Sequence, residues 1–317
     1  MTTLEKKGAF QRHKTVTIIS GILVILLIAS ILLELTLKYF VGLGNPILYY
    51  SYPLYGYRPV PNQDVTRFHG SEIRINNLGL RADSDWDNDK KNKILFLGDS
   101  VTYGGSYVSN DELFTSLALN NVNGFIGGNA AVNGWGVENI YGLIVQSGFL
   151  PSDIYLTVVI ENDFYRGVTR LEGQPYWCRK PRFAIEELLH FIFYKLDTGQ
   201  YINWEQRADE NEKMKVVDAA ANKLHEMDSF LRSQGYKHLI FISPTRAQVV
   251  YGADKDEMVE EYLKKYDIKA VYISGLINGL DNVDKDRLFN DYFHLSKYGH
   301  KIWGELIGKE ISRIVNN

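Results

Sequence analysis

Ser100 follows Gly98-Asp99 directly after the apolar run Ile94-Leu95-Phe96-Leu97, and Asp291 and His294 stand three apart just ahead of a helical pattern. A serine hydroxyl is a poor nucleophile until a base takes its proton. An imidazole serves as that base when a carboxylate holds it in the right tautomer. Aspartate and histidine three apart in a turn can both reach one cleft, so this pair has the chemistry to activate Ser100. Attack on an acyl carbonyl also builds negative charge on oxygen, which calls for preorganised hydrogen-bond donors. Two stretches offer them. Asn133-Gly134-Trp135-Gly136 has glycines that leave backbone N–H groups exposed, and Glu161-Asn162-Asp163 places a side-chain amide at the end of the strand-like run from Ile154 to Ile160.

These residues matter only if the fold gathers them. From residue 93 onward strand-like and helix-like stretches alternate. Strands are expected at 94–97, 125–132, 154–160, 238–242 and 270–273, and helices at 111–121, 137–147, 184–195, 212–234, 256–266 and 297–315. Such alternation predicts a mostly parallel sheet covered by helices on both faces. The last helix has Ser296 as an N-cap and apolar residues at Ile302, Leu306, Ile307, Ile311 and Ile314. In an open α/β sheet the ligands sit at the carboxyl ends of strands, where Ser100 stands.

A single α/β domain fills most of 317 residues, and 45% hydrophobic with 23% charged residues is an ordinary globular composition. The net charge of -3, with no basic run in the body of the chain, gives no reason to expect nucleic acid. The lone Cys178 rules out an intrachain disulfide framework and leaves the compartment open. Ahead of the domain, residues 1–14 carry Lys6, Lys7, Arg12 and Lys14. Val16 to Leu33 is then apolar except at Thr17, Ser20, Gly21 and Ser30, long enough at about 1.5 Å per residue to cross a hydrocarbon core. Glu34-Leu35-Thr36-Leu37 lacks an A-x-A-like cleavage site, which favours an uncleaved anchor at 15–38 over a signal peptide. The positive-inside rule then places residues 1–14 in the cytoplasm and the rest outside the cell membrane. Residues 39–92 read as a linker and hairpin extension before a domain at 93–317. The tyrosines between Tyr49 and Tyr57 either sit at headgroup level or pack on the domain. Phe68 to Gly79 reads as a β-hairpin, and 83–93 as a solvated loop.

Gly98-Asp99-Ser100, Gly134, Asn162 and Asp291-x-x-His294 stand in the order of four sequence blocks, and over roughly residues 93–315 the chain resembles the SGNH (GDSL-type) hydrolase family. The resemblance implies a three-layer flavodoxin-like α/β/α fold, and hydrolysis or transfer of an acyl ester without metal or cofactor. It implies Ser100 as nucleophile, His294 as base and Asp291 as its orienter. The backbone N–H groups of Ser100 and Gly134 and the amide of Asn162 would form the oxyanion hole. The chain departs from the pattern at Glu161, where the family usually has glycine. A carboxylate beside an oxyanion donor disfavours charge build-up unless its side chain points away, as alternate strand residues do. Asp99 and Asp163 read as structural hydrogen-bonding residues.

Tyr103 and Trp135 have aromatic faces suited to sugar rings and acyl chains alike. Arg246, after the fourth strand, can hold an anionic substrate group or form a surface salt bridge. The insertion 172–211 reads as a lid over the cleft, a face toward the membrane, or a helix packed on the sheet. The function expected is a membrane-anchored, extracytoplasmic serine esterase acting on an acyl ester, such as O-acetyl on an envelope or exported polysaccharide. An O-acyltransferase using the same site is one alternative. A non-catalytic polysaccharide-binding or scaffold component is the other.

Overall fold

The computed structural model describes residues 14–86, 92–120, 122–172, 174–198, 208–280 and 283–315. The apolar run forms α1 (Lys14–Thr36), which continues through a π-helical turn at Leu37–Val41. Lys14–Val41 is long and apolar enough to cross a membrane, and its apolar window is not buried in the protein. Near the N-terminus, it fits a membrane span or a signal sequence alike.

The tyrosine-rich segment forms an antiparallel pair, β1 (Tyr49–Tyr52) with β2 (Gly56–Pro59). Tyr49, Tyr55 and Tyr57 are buried in the cluster that holds Trp135, Val137 and Ile140, so these rings pack on the domain. A second hairpin joins β3 (Gln63–Thr66) to β4 (Glu72–Ile75). It starts earlier than the expected 68–79, because the buried Val65 and Ile73 pair across it and Phe68–Gly70 is only its turn.

The main sheet contains β5 (Lys93–Gly98), β6 (Ile126–Asn129), β7 (Ile154–Val159), β8 (Lys237–Ile242) and β9 (Ala270–Tyr272), all parallel, in the order β6-β5-β7-β8-β9. Counted from β5 this is the 2-1-3-4-5 order of flavodoxin-like folds. β5 and β7 are buried along their whole length, which is why both read as unbroken runs rather than as an alternating pattern. The helices are α2 (Ser100–Tyr103), α3 (Phe114–Leu117), α4 (Val137–Tyr141), α5 (Ala184–Thr198), α6 (Glu210–Ser233), α7 (Arg246–Val250), α8 (Glu257–Lys265), α9 (Ile273–Asn278) and α10 (Lys297–Val315). One sheet face, with Leu95, Leu97, Tyr155 and Ile240, packs on α4, α6, α8 and the hairpins. The other, with Ile94, Phe96, Leu156 and Phe241, packs on α3, α9 and α10. The result is a three-layer α/β/α fold.

Three expectations are corrected. The helix expected at 111–121 is a 3-10 turn at Asn110–Glu112 followed by α3, because Leu113 between them is extended (φ -69°, ψ 144°); residue 121 lies outside the described residues. The helix at 137–147 is α4 followed by a π-helical turn, and Gly142 at the join lies so close to Leu54 that an added Cβ would sit 2.1 Å from the Leu54 carbonyl oxygen. In the insertion, α5 packs on the foot of α1 rather than on the sheet: Ala184 joins Leu37 and Leu43 in a separate small cluster. The Glu34 carboxylate accepts the Ala184 and Ile185 N–H groups at 2.7 and 3.0 Å, a favourable place for a negative charge at a helix start. Glu187 accepts the Gly44 N–H at 2.6 Å and pairs with Arg67 in a buried salt bridge. Residues 199–207 of the insertion lie outside the described residues.

Candidate active site

Ligands of a 2-1-3-4-5 sheet sit at the carboxyl edge where the strand order reverses, beside β5 and β7. Ser100 leaves β5 there. The exit is tight: a Cβ on Gly98 would come 2.2 Å from the Val158 carbonyl oxygen and 2.5 Å from the Thr102 hydroxyl. Asp99 caps α2 by accepting the Val101 N–H at 2.9 Å, which makes Ser100 its first residue. N–H groups in a first turn have no acceptor within the helix, so the Ser100 N–H is available to a ligand oxygen.

Beyond β6 the ladder continues: Ala130 donates to Phe96 at 2.8 Å and Val132 to Gly98 at 3.2 Å. Gly134 therefore lies two residues past the rung that Ser100 leaves. Its φ of +78° is a conformation that glycine adopts cheaply. The Tyr57 hydroxyl donates to the Asn133 carbonyl at 2.7 Å. In a trans peptide the N–H points opposite to the C=O, so this bond from the hairpin layer aims the Gly134 N–H away from Tyr57. On the other side Gly98 pairs with Val158, and the 3-10 turn Glu161–Tyr165 that follows β7 carries Asn162.

From the loop before α10, His294 Nε2 stands 2.9 Å from Ser100 Oγ, and His294 Nδ1 stands 2.7 Å from Asp291 Oδ2. The second Asp291 oxygen accepts the N–H groups of Phe293 and His294 at 2.9 and 2.8 Å. Burial acts to raise the Asp291 pKa, but the hydrogen bonds from His294 and Phe293 outweigh it and hold the carboxyl below its ordinary value. An ionised carboxylate only accepts, so Nδ1 carries the imidazole proton and Nε2 is left to accept from the Ser100 hydroxyl. The loop is pinned from outside by Arg246, whose N–H donates to the Tyr292 carbonyl at 2.9 Å.

The neighbouring carboxylates do other work. Asp99 is fully buried, which pushes its pKa up against the pull of Arg166 at 3.9 Å. The oxygen that faces Arg166 is also 3.4 Å from Ser100 Oγ, a weaker contact than that of His294. Asp163 accepts the Ile160 N–H at 3.1 Å and pairs with Arg166 at 2.7 Å. Glu161 turns toward α7, where its carboxylate accepts from the Gln248 amide at 2.7 Å, and burial pushes its pKa up.

Of the residues expected to contact substrate, Trp135 is corrected: it is fully buried, edge-on to Tyr57, as part of the core. Tyr103 is also buried and faces a cavity behind the turn rather than an open cleft. The Arg246 guanidinium lies 3.7 Å from Asp286, the salt-bridge alternative.

Two buried residues that support the turn were not singled out from the sequence. Arg81, 2% exposed, donates to the carbonyls of Tyr103 at 2.8 Å, Gly105 at 2.6 Å and Val108, and to Asn110 Oδ1 at 3.0 Å. One guanidinium thereby closes the loop that follows α2. His300 is fully buried against the Phe114 ring and accepts the Phe114 N–H through Nδ1 at 3.3 Å. Burial above all, with the charge of Arg81 adding to it, pushes its pKa down to about 3.

That shift has a sign. The unfolded chain takes up this proton near pH 6.5. The folded state resists it until about pH 3. Between the two the unfolded state binds more protons, so stability falls as pH falls, by about 1.4 kcal/mol per unit from this one group. The urea midpoint is expected to drop between neutral pH and roughly pH 4.5, and to drop less in His300→Gln. Equal drops in both proteins would place the acid sensitivity elsewhere.

No family model matches the chain, and no curated protein matches it. Among solved structures it is similar to an acetyl xylan esterase, AlAXEase, at 13% identity and a TM-score of 0.41, covering 69% of this chain and 99% of that one. It is also similar to a lipase/acylhydrolase from Enterococcus faecalis at 14% identity and a TM-score of 0.42, covering 70% and 96%. A member of the lipolytic G-D-S-L family from Veillonella parvula matches at 14% identity and a TM-score of 0.39, covering 70% and 98%. None of these likenesses assigns an activity to this chain.

Proposed function

We propose that this protein is a serine esterase of SGNH type, held by α1 at the outer face of the cell membrane, that cleaves an acyl ester. The observation that carries the reading is the continuous chain from Ser100 Oγ through His294 to Asp291 at the sheet's switch point. Ser100 Oγ attacks the ester carbonyl as its proton passes to His294 Nε2. Asp291 stabilises the imidazolium. The N–H groups of Ser100 and Gly134 and the Asn162 amide receive the oxyanion. Collapse of the tetrahedral species breaks the bond to the alcohol oxygen, which takes the proton from His294 and leaves an acyl-Ser100. Water, activated by the same imidazole, releases the acid and restores Ser100. An O-acetyl group on an envelope or exported polysaccharide fits the placement outside the membrane that the basic N-terminus supports.

A fluorophosphonate probe tests the nucleophile directly, since it reacts far faster with an activated serine than with other side chains. Labelling of the full-length protein is expected on the peptide containing Ser100. It is expected to be absent in Ser100→Ala and slower by roughly 10²-fold or more in His294→Ala. Labelling that persists in Ser100→Ala would overturn the assignment.

A further inference from the structure

Behind α5 lies a cavity of about 360 Å³ that this reaction does not by itself explain. Small-molecule pockets run from about 300 to 1,000 Å³, so it has room for a ligand. Its outer walls come from segments added to the α/β layers: Val41 and Leu43 at the foot of α1, Phe68 from the second hairpin, and Leu188 and Phe191 from α5. Among the described residues the carboxylate and guanidinium there, Glu187 and Arg67, pair with each other. The inner wall differs. Tyr103 ends the short helix that Ser100 begins, and Asn133 adjoins Gly134. The Asn133 side-chain oxygen is buried with no hydrogen-bond partner among the described residues. The cavity is thus apolar at one end and polar at the end beside the candidate site.

The apolar end opens where the protein already presents a lipid-like surface. α5 exposes Leu189, Phe191, Ile192, Phe193 and Leu196. An amphipathic helix of this kind lies in the membrane interface, with its apolar face buried about 5–10 Å. The Glu34 bonds fix the start of α5 against the last turns of α1, so the two apolar surfaces are continuous. Phe191 belongs to both, being half exposed and also lining the cavity.

We propose that this cavity binds the hydrocarbon tail of a membrane lipid, which enters from the bilayer past Phe191 and places its ester at the inner end, toward Ser100. A sugar chain would need hydrogen-bond partners along its length, and most of the outer wall is hydrocarbon: Val41, Leu43, Phe68, Leu188 and Phe191, with Trp177 and His190 the polar-tipped exceptions besides the Arg67–Glu187 pair. The orientation of the ester rests on the esterase reading; the tail site does not.

The test uses full-length protein in nanodiscs of phosphatidylcholine that contain a phosphatidylcholine with a diazirine at the end of one acyl chain. Photolysis and peptide mapping are expected to find cross-links on Phe68 and Leu188, which line the apolar end of the cavity where the tail's tip would lie, as well as on the outer faces of α1 and α5. Cross-links confined to outer residues such as Phe193 and Leu196 would overturn the proposal. A second arm narrows the cavity with Leu188→Trp. This is expected to lower kcat/KM for p-nitrophenyl decanoate roughly tenfold while p-nitrophenyl acetate stays within about twofold. Equal loss on both esters, or loss on neither, counts against a tail site. Cavity cross-links in a protein that hydrolyses neither ester would retain the tail site and reject the esterase reading.

Discussion

Ser100→Ala is expected to lower kcat for p-nitrophenyl acetate by about 10⁴-fold or more, with KM little changed. The substitution removes the one atom that forms the bond to the acyl carbon. It leaves the rest of the machinery in place, because the Asp291–His294 contact at 2.7 Å and the two N–H bonds to Asp291 do not involve Ser100. The residual rate would come from binding and the oxyanion donors alone. The expected signature is a loss of turnover with an unaltered melting temperature. A variant that keeps activity within about tenfold of the unaltered protein would show that the nucleophile is elsewhere.

Arg81→Met is expected to cost about 3–5 kcal/mol of stability. Methionine roughly fills the space but donates nothing. Three backbone carbonyls and the Asn110 amide oxygen then lose their donors in a buried place. Each buried polar group left unpaired costs about 1–3 kcal/mol. Arg81→Lys is expected to recover only part, since an ammonium on a flexible stem cannot reproduce the planar fork. Arg246→Met is the control: its pair with Asp286 is 3.7 Å long and solvent-accessible on the Asp286 side, and such pairs are worth about 0–1 kcal/mol. Urea denaturation measures all three. A cost for Arg81→Met below about 1 kcal/mol would mean that those oxygens find other donors.

The sheet and its switch point were legible because their signals are local. β5 and β7 are apolar throughout, and α10 falls on the expected 297–315 with its periodic apolar face inward. The blocks around Ser100, Gly134, Asn162 and Asp291/His294 were legible because each pairs a chemically able side chain or a glycine with a strand end. What stayed hidden depends on partners far away in sequence. Arg81 serves backbone carbonyls, which every residue has, so nothing marks its loop as needing a guanidinium. Tyr57 orients the Asn133 peptide across a separation of 76 residues. Trp135 beside Gly134 looked like a pocket wall, but the hairpins cover it with Tyr55 and Tyr57. α5 was read as a helix, but its neighbour is α1, a contact that hydrophobic periodicity does not encode.

In the sequence Glu34 looks like a blemish in an apolar run; in the structure it is a bolt. Because its carboxylate is fastened to the start of α5, the join between α1 and the α/β layers is a mount rather than a leash. A leash lets a domain sweep a hemisphere above its anchor. A mount fixes one height and one heading. On the proposed reading, with α1 standing in a bilayer, the cleft around Ser100 would be held at a set altitude over the lipid surface rather than leaning out toward distant polymer. Substrates of such an anchored esterase would have to come to that altitude, either by gliding within the plane of the membrane or by being handed down to it. Reach would then be a filter on substrate choice, set by a helix that never touches the chemistry.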